Sequence, residues 1–172
     1  MSQVLYTVLV ALVALERLAE LVVAKRNLAH SLAHGGRETG FGHYPAMVAL
    51  HTGLLAGCLL EVWLADRPFV PALGWVMLVV VVASQALRWW CIRTLGPLWN
   101  TRIVVVPGAD RVTGGPYRFF SHPNYVAVVA EGFALPLVHT AWVTAVVFTV
   151  LNAVLLRVRI RSENHALTEA YA

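Results

Sequence analysis

The chain has 172 residues, of which 59% are hydrophobic and 13% charged, and its formal net charge is +4 at pH 7. Ordinary soluble domains carry about 25% charged residues, so this composition excludes a typical soluble globular domain. The high hydrophobicity also excludes an intrinsically disordered chain, and the protein is expected to cross a membrane several times.

Apolar segments of helical length follow one another along the chain. A span needs about 20 mostly apolar residues. The candidates are residues 4–23, 46–64, 72–90, 125–138 and 142–156. The last two are short and lie close together, with Pro136 near the bend, which predicts a tight helical hairpin. We therefore expect an all-α integral membrane protein with five transmembrane helices.

Basic residues are concentrated on one side of these five spans. Eleven of the thirteen Lys and Arg residues fall on that side, one falls on the other, and Arg17 lies within the first span. Because cytoplasmic loops carry an excess of Lys and Arg, we expect a multi-pass protein of the cell (inner or plasma) membrane with its N-terminus outside and its C-terminus in the cytosol. This topology explains the net charge without a nucleic-acid partner.

The chain is expected to form one membrane-embedded domain, residues 1–172. Residues 1–94 form a three-span part, and residues 95–172 hold a long cytosolic loop, the hairpin and a C-terminal helix. The loop, residues 95–121, is rich in Gly and Pro, which predicts irregular turns, with an extended stretch at 103–106. A long ordered loop beside a membrane hairpin indicates a functional segment.

Ionisable residues inside the predicted spans are candidates for a functional site. Glu16 and Glu20 share a helix face, and with Arg17 they form either a local charge cluster or the wall of a polar cavity. Arg88 is either an anchor at the membrane interface or a functional residue. Glu131 lies in the middle of the fourth segment, so we expect it to pair with a cation such as Arg88 or a C-terminal arginine.

The histidines do not form a metal signature. His30 and His34 are four residues apart, but no third ligand accompanies them, so no metal site is predicted. His43 and His51 flank the start of the second span, where they line a cavity or cap the interface. The two cysteines lie in apolar runs and are interpreted as small hydrophobic residues.

Polar residues also cluster on both sides of the hairpin, which brings the flanking segments to one membrane surface. Topology places four of them near one another: His122, Tyr125, Arg159 and Glu163. Arg159 and Glu163 share a helix face. Such a pocket suits a zwitterionic ligand, because arginine holds a carboxylate and glutamate holds an ammonium group or ribose hydroxyls.

These motifs resemble those of the isoprenylcysteine carboxyl methyltransferases and their bacterial relatives. The family pattern is Gly-x-Tyr, four residues, His-Pro-x-Tyr, a membrane hairpin and Arg-x-x-x-Glu, and this chain matches it from about residue 84 to 167. The resemblance implies an S-adenosylmethionine-dependent integral membrane O-methyltransferase. It implies methyl transfer to an oxygen (carboxylate, phenol or enol) of a lipophilic small molecule that resides among the membrane lipids.

The resemblance also implies roles for individual residues. Ten match positions that hold S-adenosylmethionine in the family: Ala109, Asp110, Arg111, Val112, Tyr117, His122, Pro123, Asn124, Tyr125 and Glu163. Arg159 and Arg88 are expected to bind the substrate and to stabilise its anion. Glu131 or His43 is expected to take a proton, and His43 is also assigned to the substrate site.

The chain departs from the family pattern at two positions. Ser121 stands where many members have an arginine before His-Pro, which removes a carboxylate partner. Asn164 stands where many members have a second glutamate. Residues 35–45 look like those of bacterial relatives, some of which methylate hydroxyls of long-chain alkylpyrones or alkylresorcinols.

Three other functions stay open from the sequence. Steroid-type membrane reductases share a His-Pro-Asn-Tyr motif and use NADPH, although Val128 stands where they commonly carry a glutamate. Phospholipid N-methyltransferases use the same cofactor on a different acceptor. A non-catalytic membrane scaffold would not need the clustered motif. The oligomeric state and the acceptor are not predicted.

Overall fold

The computed structural model describes the backbone of residues 1–171 and the side chains of residues 1–40 and 42–169. Within these residues the chain forms five α-helices: α1 Gln3–Ala33, α2 Tyr44–Leu64, α3 Pro71–Leu95, α4 Pro123–Leu137 and α5 Trp142–Tyr171. The connections contain strands β1 Arg37–Thr39 and β2 Ile103–Val105, and 3₁₀ turns Phe41–His43, Gly96–Leu98 and Gly115–Arg118.

The helix boundaries follow signals that are visible in the sequence. Pro45, Pro71 and Pro123 lie in the first two positions of α2, α3 and α4. Proline is tolerated there because a backbone N–H in the first turn has no acceptor within the helix. The Ser2 hydroxyl accepts a hydrogen bond from the Leu5 N–H at 3.2 Å and caps α1. The predicted hairpin is confirmed, because α4 and α5 are joined by residues 138–141 alone.

Helix length and composition support a membrane protein. Among the described residues, three helices are long and apolar enough to cross a bilayer: Tyr44–Leu64, Pro71–Leu98 and Trp142–Glu169. Helix α1 is long enough but carries Glu16, Arg17 and Glu20, and α4 has only 15 residues. The chain is therefore a mainly helical membrane protein.

A small sheet departs from the all-α expectation. Strands β1 and β2 pair antiparallel, with Arg37 opposite Val105 and Thr39 opposite Ile103. The sequence indicated the extended stretch after residue 102 but not its partner, because a three-residue strand shows no periodicity. The sheet joins the connection between α1 and α2 to the long loop. A salt bridge of 2.7 Å between Arg102 and Glu38 holds the two segments together beside it.

Helix α4 packs closely against its neighbours. At Gly132 a Cβ atom would overlap the ring of Phe148, so the missing side chain lets that ring of α5 lie directly on α4. The Tyr6 hydroxyl of α1 donates a 3.0 Å hydrogen bond to the Leu135 carbonyl, near the last turn of α4, where Pro136 interrupts regular bonding. These contacts bind α1, α4 and α5 into one core.

A carboxylate of α2 caps the beginning of α5. Glu61 accepts hydrogen bonds from the Thr144 N–H at 2.7 Å, the Thr144 hydroxyl at 2.8 Å and the Val143 N–H at 3.2 Å. Ala141, the residue before α5, has no side-chain acceptor of its own. An anion at this end of a helix is favourable, because the first N–H groups are otherwise unpaired.

We expect Glu61→Ala to lower the free energy of unfolding by about 1–2 kcal/mol, the usual cost of losing an N-terminal helix cap. Chemical or thermal unfolding of the purified protein in detergent measures this loss. Leu64→Ala is the matched control, because Leu64 is on the same helix and 81% exposed. Equal stability of the two variants would contradict the capping role of Glu61.

Candidate functional site

A cavity of about 360 Å³ lies inside the helix bundle, and all five helices and the long loop contribute to its wall. One end is polar and is formed where the loop, α4 and α5 meet. The other end lies deeper among the helices, where the wall contains both apolar and charged side chains. The apolar part of the wall includes Leu18, Leu21, Val48, Leu55, Leu155 and Leu156. The cavity therefore joins two different environments.

The polar end contains the side chains that the topology predicts to lie together. The Tyr125 hydroxyl donates a hydrogen bond of 2.5 Å to Glu163 on α5. The His122 ring stacks on Tyr125 with 5.5 Å between ring centroids, and its Nε2 lies 3.0 Å from the Asn164 Oδ1. The hairpin thus brings the His-Pro-x-Tyr motif next to the Arg-x-x-x-Glu segment of α5.

Arg159 is the buried cation of this end. Its side chain is 4% exposed, lines the cavity and donates a 2.9 Å hydrogen bond to the Thr101 carbonyl of the loop. Its guanidinium carbon lies 5.9 Å from the centroid of the Tyr125 ring. The Arg159 Nε has no hydrogen-bond partner among the described residues. Arg159 is therefore held in position while part of its guanidinium remains available for a ligand.

Tyr117 reaches the same cavity from a 3₁₀ turn. The turn lies against the end of α3, because Gly115 has a φ of +54° and a Cβ there would overlap Thr94. Burial raises the pKa of the Tyr117 phenol above its ordinary value. Like an ordinary tyrosine, the phenol is neutral at physiological pH and able to donate a hydrogen bond.

A charged cluster, defined here as Arg17, Glu20, Arg88 and Glu131, lies at the deeper end. Arg17 is 2.6 Å from Glu20 and 2.8 Å from Glu131, and Arg88 pairs with Glu131 and lies 3.5 Å from Glu20. The predicted pairing of Glu131 with Arg88 is confirmed. The four charges balance, which is how buried ions are tolerated in an apolar environment.

Three members of the charged cluster, Arg17, Glu20 and Arg88, line the cavity. The polar group of α1 is therefore both a local cluster and the wall of a cavity, the two interpretations that its sequence left open. Glu16 is separate from it and accepts a hydrogen bond from the Trp89 indole. The cluster places two guanidinium groups beside space that a ligand can occupy.

Some predicted site residues lie away from the cavity. Seven of the predicted site residues are not part of the cavity wall that the described residues form: His43, Ala109, Asp110, Arg111, Val112, Pro123 and Glu131. Pro123 begins α4, and residues 109–112 lie in the irregular segment after β2. Burial and, to a lesser extent, the charge of Arg159 lower the pKa of the His43 imidazole. The roles assigned from sequence to these seven residues stay predictions.

Two cavity residues, His51 and Asn152, are not among the site residues predicted from sequence, although one of the two interpretations of His51 was that it lines a cavity. Asn152 is 3% exposed, and its Oδ1 has no partner among the described residues. The sequence did contain one signal for these two residues. Both are polar residues within apolar helices, and such side chains face the interior of a bundle. Arg17 stands out in the sequence as a charge inside a span, but its contact with Glu131 joins residues 114 positions apart and leaves no local pattern.

The isoprenylcysteine carboxyl methyltransferase (ICMT) family model matches residues 75–169, which is more than half of the chain. The chain belongs to this family. The family resemblance recognised in the sequence is confirmed, and the protein is a membrane methyltransferase. The matched segment contains Arg88, the hairpin and the whole of the His-Pro-x-Tyr and Arg-x-x-x-Glu motifs.

The chain is also similar to the uncharacterized protein YpbQ of Bacillus subtilis (strain 168). The two are 39% identical over 166 residues, which covers 96% of this chain and 98% of the relative. The similarity therefore includes most of α1 and α2, which precede the part matched by the ICMT family model. Arg17, Glu20 and His51 of the cavity belong to this N-terminal part.

Proposed function

We propose that this family member transfers a methyl group from S-adenosylmethionine to an oxygen (carboxylate, phenol or enol) of a lipophilic substrate in the membrane. One observation carries the proposal. A single cavity is lined both by the polar side chains of the family motifs and by apolar side chains of the helices. A water-soluble cofactor and a lipid acceptor need such a pair of environments in contact with each other.

The residues of the polar end suit the cofactor chemically. Its amino-acid part carries a carboxylate and an ammonium group, and its ribose carries hydroxyls. Arg159 Nε and Asn124 Oδ1 are buried polar atoms without partners among the described residues, and both residues line the cavity. Arg159 would hold the carboxylate and Glu163 the ammonium group or the hydroxyls. When bound, the cofactor supplies an electrophilic methyl group on a positively charged sulfur.

An apolar groove supports a lateral route for the lipid. This second space, of about 720 Å³, lies between α2 and α5 and is lined by residues such as Gly53, Gly57 and Val147. Leu155 belongs to the wall of both the groove and the cavity. We place the hydrocarbon tail of the substrate in this groove, where it stays in an apolar environment while its head group enters the cavity.

The proposal includes five membrane crossings, with the N-terminus outside and the C-terminus in the cytosol. In this arrangement the polar end opens to the cytosol, from which the cofactor enters. Helix α1 can cross because Arg17 and Glu20, two of its charged residues, line the cavity and are paired. Helix α4, with 15 residues, extends about 22 Å and crosses most of the roughly 30 Å hydrocarbon core.

Catalysis then rests on positioning and on charge. The donor is already activated, so holding the two reactants in line supplies much of the rate enhancement. Arg88 and Arg159, which both line the cavity, stabilise the anionic oxygen of the acceptor. Glu131, which contacts both Arg17 and Arg88, holds these guanidinium groups in place.

The direct test is ligand binding by the purified protein, measured by isothermal titration calorimetry. We expect saturable binding of S-adenosylhomocysteine, and binding weakened about tenfold or more in Glu163→Ala, which loses hydrogen bonds to a charged group. Glu169→Ala is the matched control on the same helix, because the Glu169 side chain is 69% exposed. Binding of NADPH in place of S-adenosylhomocysteine would refute the proposal in favour of a reductase.

A further inference from the structure

His51 of α2 presents a free nitrogen to the inner part of the cavity. Its Nδ1 lies 2.9 Å from the Met47 carbonyl, which is a hydrogen-bond acceptor only. The proton of the neutral ring is therefore on Nδ1, and Nε2 carries a lone pair. Among the described residues Nε2 forms no hydrogen bond, and His51 is part of the cavity wall.

The imidazole is held in this orientation from two sides. Besides the Met47 carbonyl, the ring of Phe148 packs against it edge to face, with 5.4 Å between centroids and an interplanar angle of 86°. Phe148 is itself seated against α4 at Gly132. A base whose position is fixed before the substrate arrives needs little reorganisation during the reaction.

Asn152 is an independent sign of a polar ligand at the same place. It lies one helical turn after Phe148 on α5, and therefore on the same face of that helix. It lines the cavity, is 3% exposed, and its Oδ1 has no partner in the described chain. An unpaired buried amide oxygen costs about 1–3 kcal/mol, a cost removed by a ligand that donates a hydrogen bond to it.

The surrounding charges are already engaged. Glu131 contacts two guanidinium groups, and Glu20 lies beside the same pair. Both carboxylates of the charged cluster are therefore already engaged in ion pairs. The charged groups that act on His51 are Arg88 of α3, Glu131 of α4 and Arg17 of α1, and Arg159 of α5 lines the cavity nearer its polar end.

We propose that His51 is the general base of this enzyme and that its acceptor is a hydroxyl group, with Asn152 Oδ1 accepting a hydrogen bond from the same head group. The inference rests on the proposed methyl transfer. His51 Nε2 takes the hydroxyl proton as the O–CH₃ bond forms, the C–S bond breaks with its electron pair left on sulfur, and the imidazolium releases its proton to water. A carboxylate acceptor, already ionised, would need no such base.

The test compares the wild type with His51→Gln, using 5-pentadecylresorcinol and tritiated S-adenosylmethionine. We expect kcat/KM to fall about 10²-fold, the lower range for loss of a general base. The wild-type rate should decline toward acid pH as the imidazole is protonated, and this decline should be absent in the variant. His30→Gln, at an exposed position of α1, is the control and should keep the wild-type profile.

A second readout does not depend on turnover. In ¹⁵N-histidine NMR spectra, the signals missing from His51→Gln identify His51 among the seven histidines. We expect an unprotonated Nε2 in the free protein, and a shift of that signal on adding 5-pentadecylresorcinol but not its dimethyl ether, which has no hydroxyl to donate. A protonated Nε2, or equal responses to the two compounds, would overturn the role of His51.

The outcomes separate this inference from the proposed function. Calorimetric binding of S-adenosylhomocysteine by His51→Gln establishes that the variant is folded. If the wild type methylates N-acetyl-farnesylcysteine but not the resorcinol, or if His51→Gln keeps the wild-type rate and pH profile, the inference is wrong and the methyltransferase stands. If the wild type does not bind S-adenosylhomocysteine at all, both proposals fail.

Discussion

Replacing Arg159 with alanine should lower the kcat/KM of methyl transfer by about 10³-fold, the upper range for removal of one preorganised charge from an active site. Arg159 is 4% exposed, lines the cavity and is fixed to the Thr101 carbonyl, so its charge is held in place beside the ligand space. Its loss removes both a partner for the cofactor carboxylate and a stabiliser of the acceptor anion. Initial rates with tritiated S-adenosylmethionine measure the effect.

Two further variants make the result on Arg159 specific. Arg159→Lys retains the charge but not the planar fork of donors, so its activity should lie between those of the wild type and the alanine variant. Arg157→Ala removes an exposed cation from the same helix and should remain within about twofold of the wild type. A nearly wild-type rate in Arg159→Ala would refute the role assigned to this residue.

Glu131→Leu should destabilise the protein by about 3–5 kcal/mol, the cost of breaking a buried ion pair by removing one partner. The substitution leaves Arg17 and Arg88 facing Glu20 alone, with one uncompensated positive charge deep in the bundle. Unfolding of the purified protein in detergent measures the loss. Methyl transfer should fall as well, because the two guanidinium groups lose the carboxylate that positions them.

A double variant distinguishes charge imbalance from lost packing. Glu131→Leu combined with Arg17→Leu removes one charge of each sign and leaves Arg88 with Glu20, so it should be more stable than Glu131→Leu alone. Phe133→Leu, an exposed position of α4, serves as the packing control. The loss in the free energy of unfolding caused by Arg17→Leu alone is the reference. If Arg17→Leu causes the same loss when it is added to Glu131→Leu, the two effects are additive and the charged cluster is not an electrostatic unit.

The sequence predicted much of the polar end of the cavity. The proximity of Tyr125, His122 and Glu163 follows from the chain order alone, because a short hairpin must return the chain to the membrane surface that it left. The deeper end was accessible only in part. The sequence predicted that Glu131 pairs with a cation such as Arg88. No sequence pattern linked Arg17 to Glu131. None linked His51 and Asn152, the two residues with free polar atoms, to this end of the cavity.

The sequence by itself determined the membrane-spanning character, the hairpin and the family motifs of this protein. These depend on the composition of single segments and on spacings of a few residues, which are local properties of the chain. Only the tertiary structure decided which charges meet, that residues 37–39 pair with 103–105, and that the motif residues share one cavity with His51 of α2. Such contacts depend on the rotation and packing of whole helices, and residues as far apart as Arg17 and Glu131 are brought together only when all five helices pack.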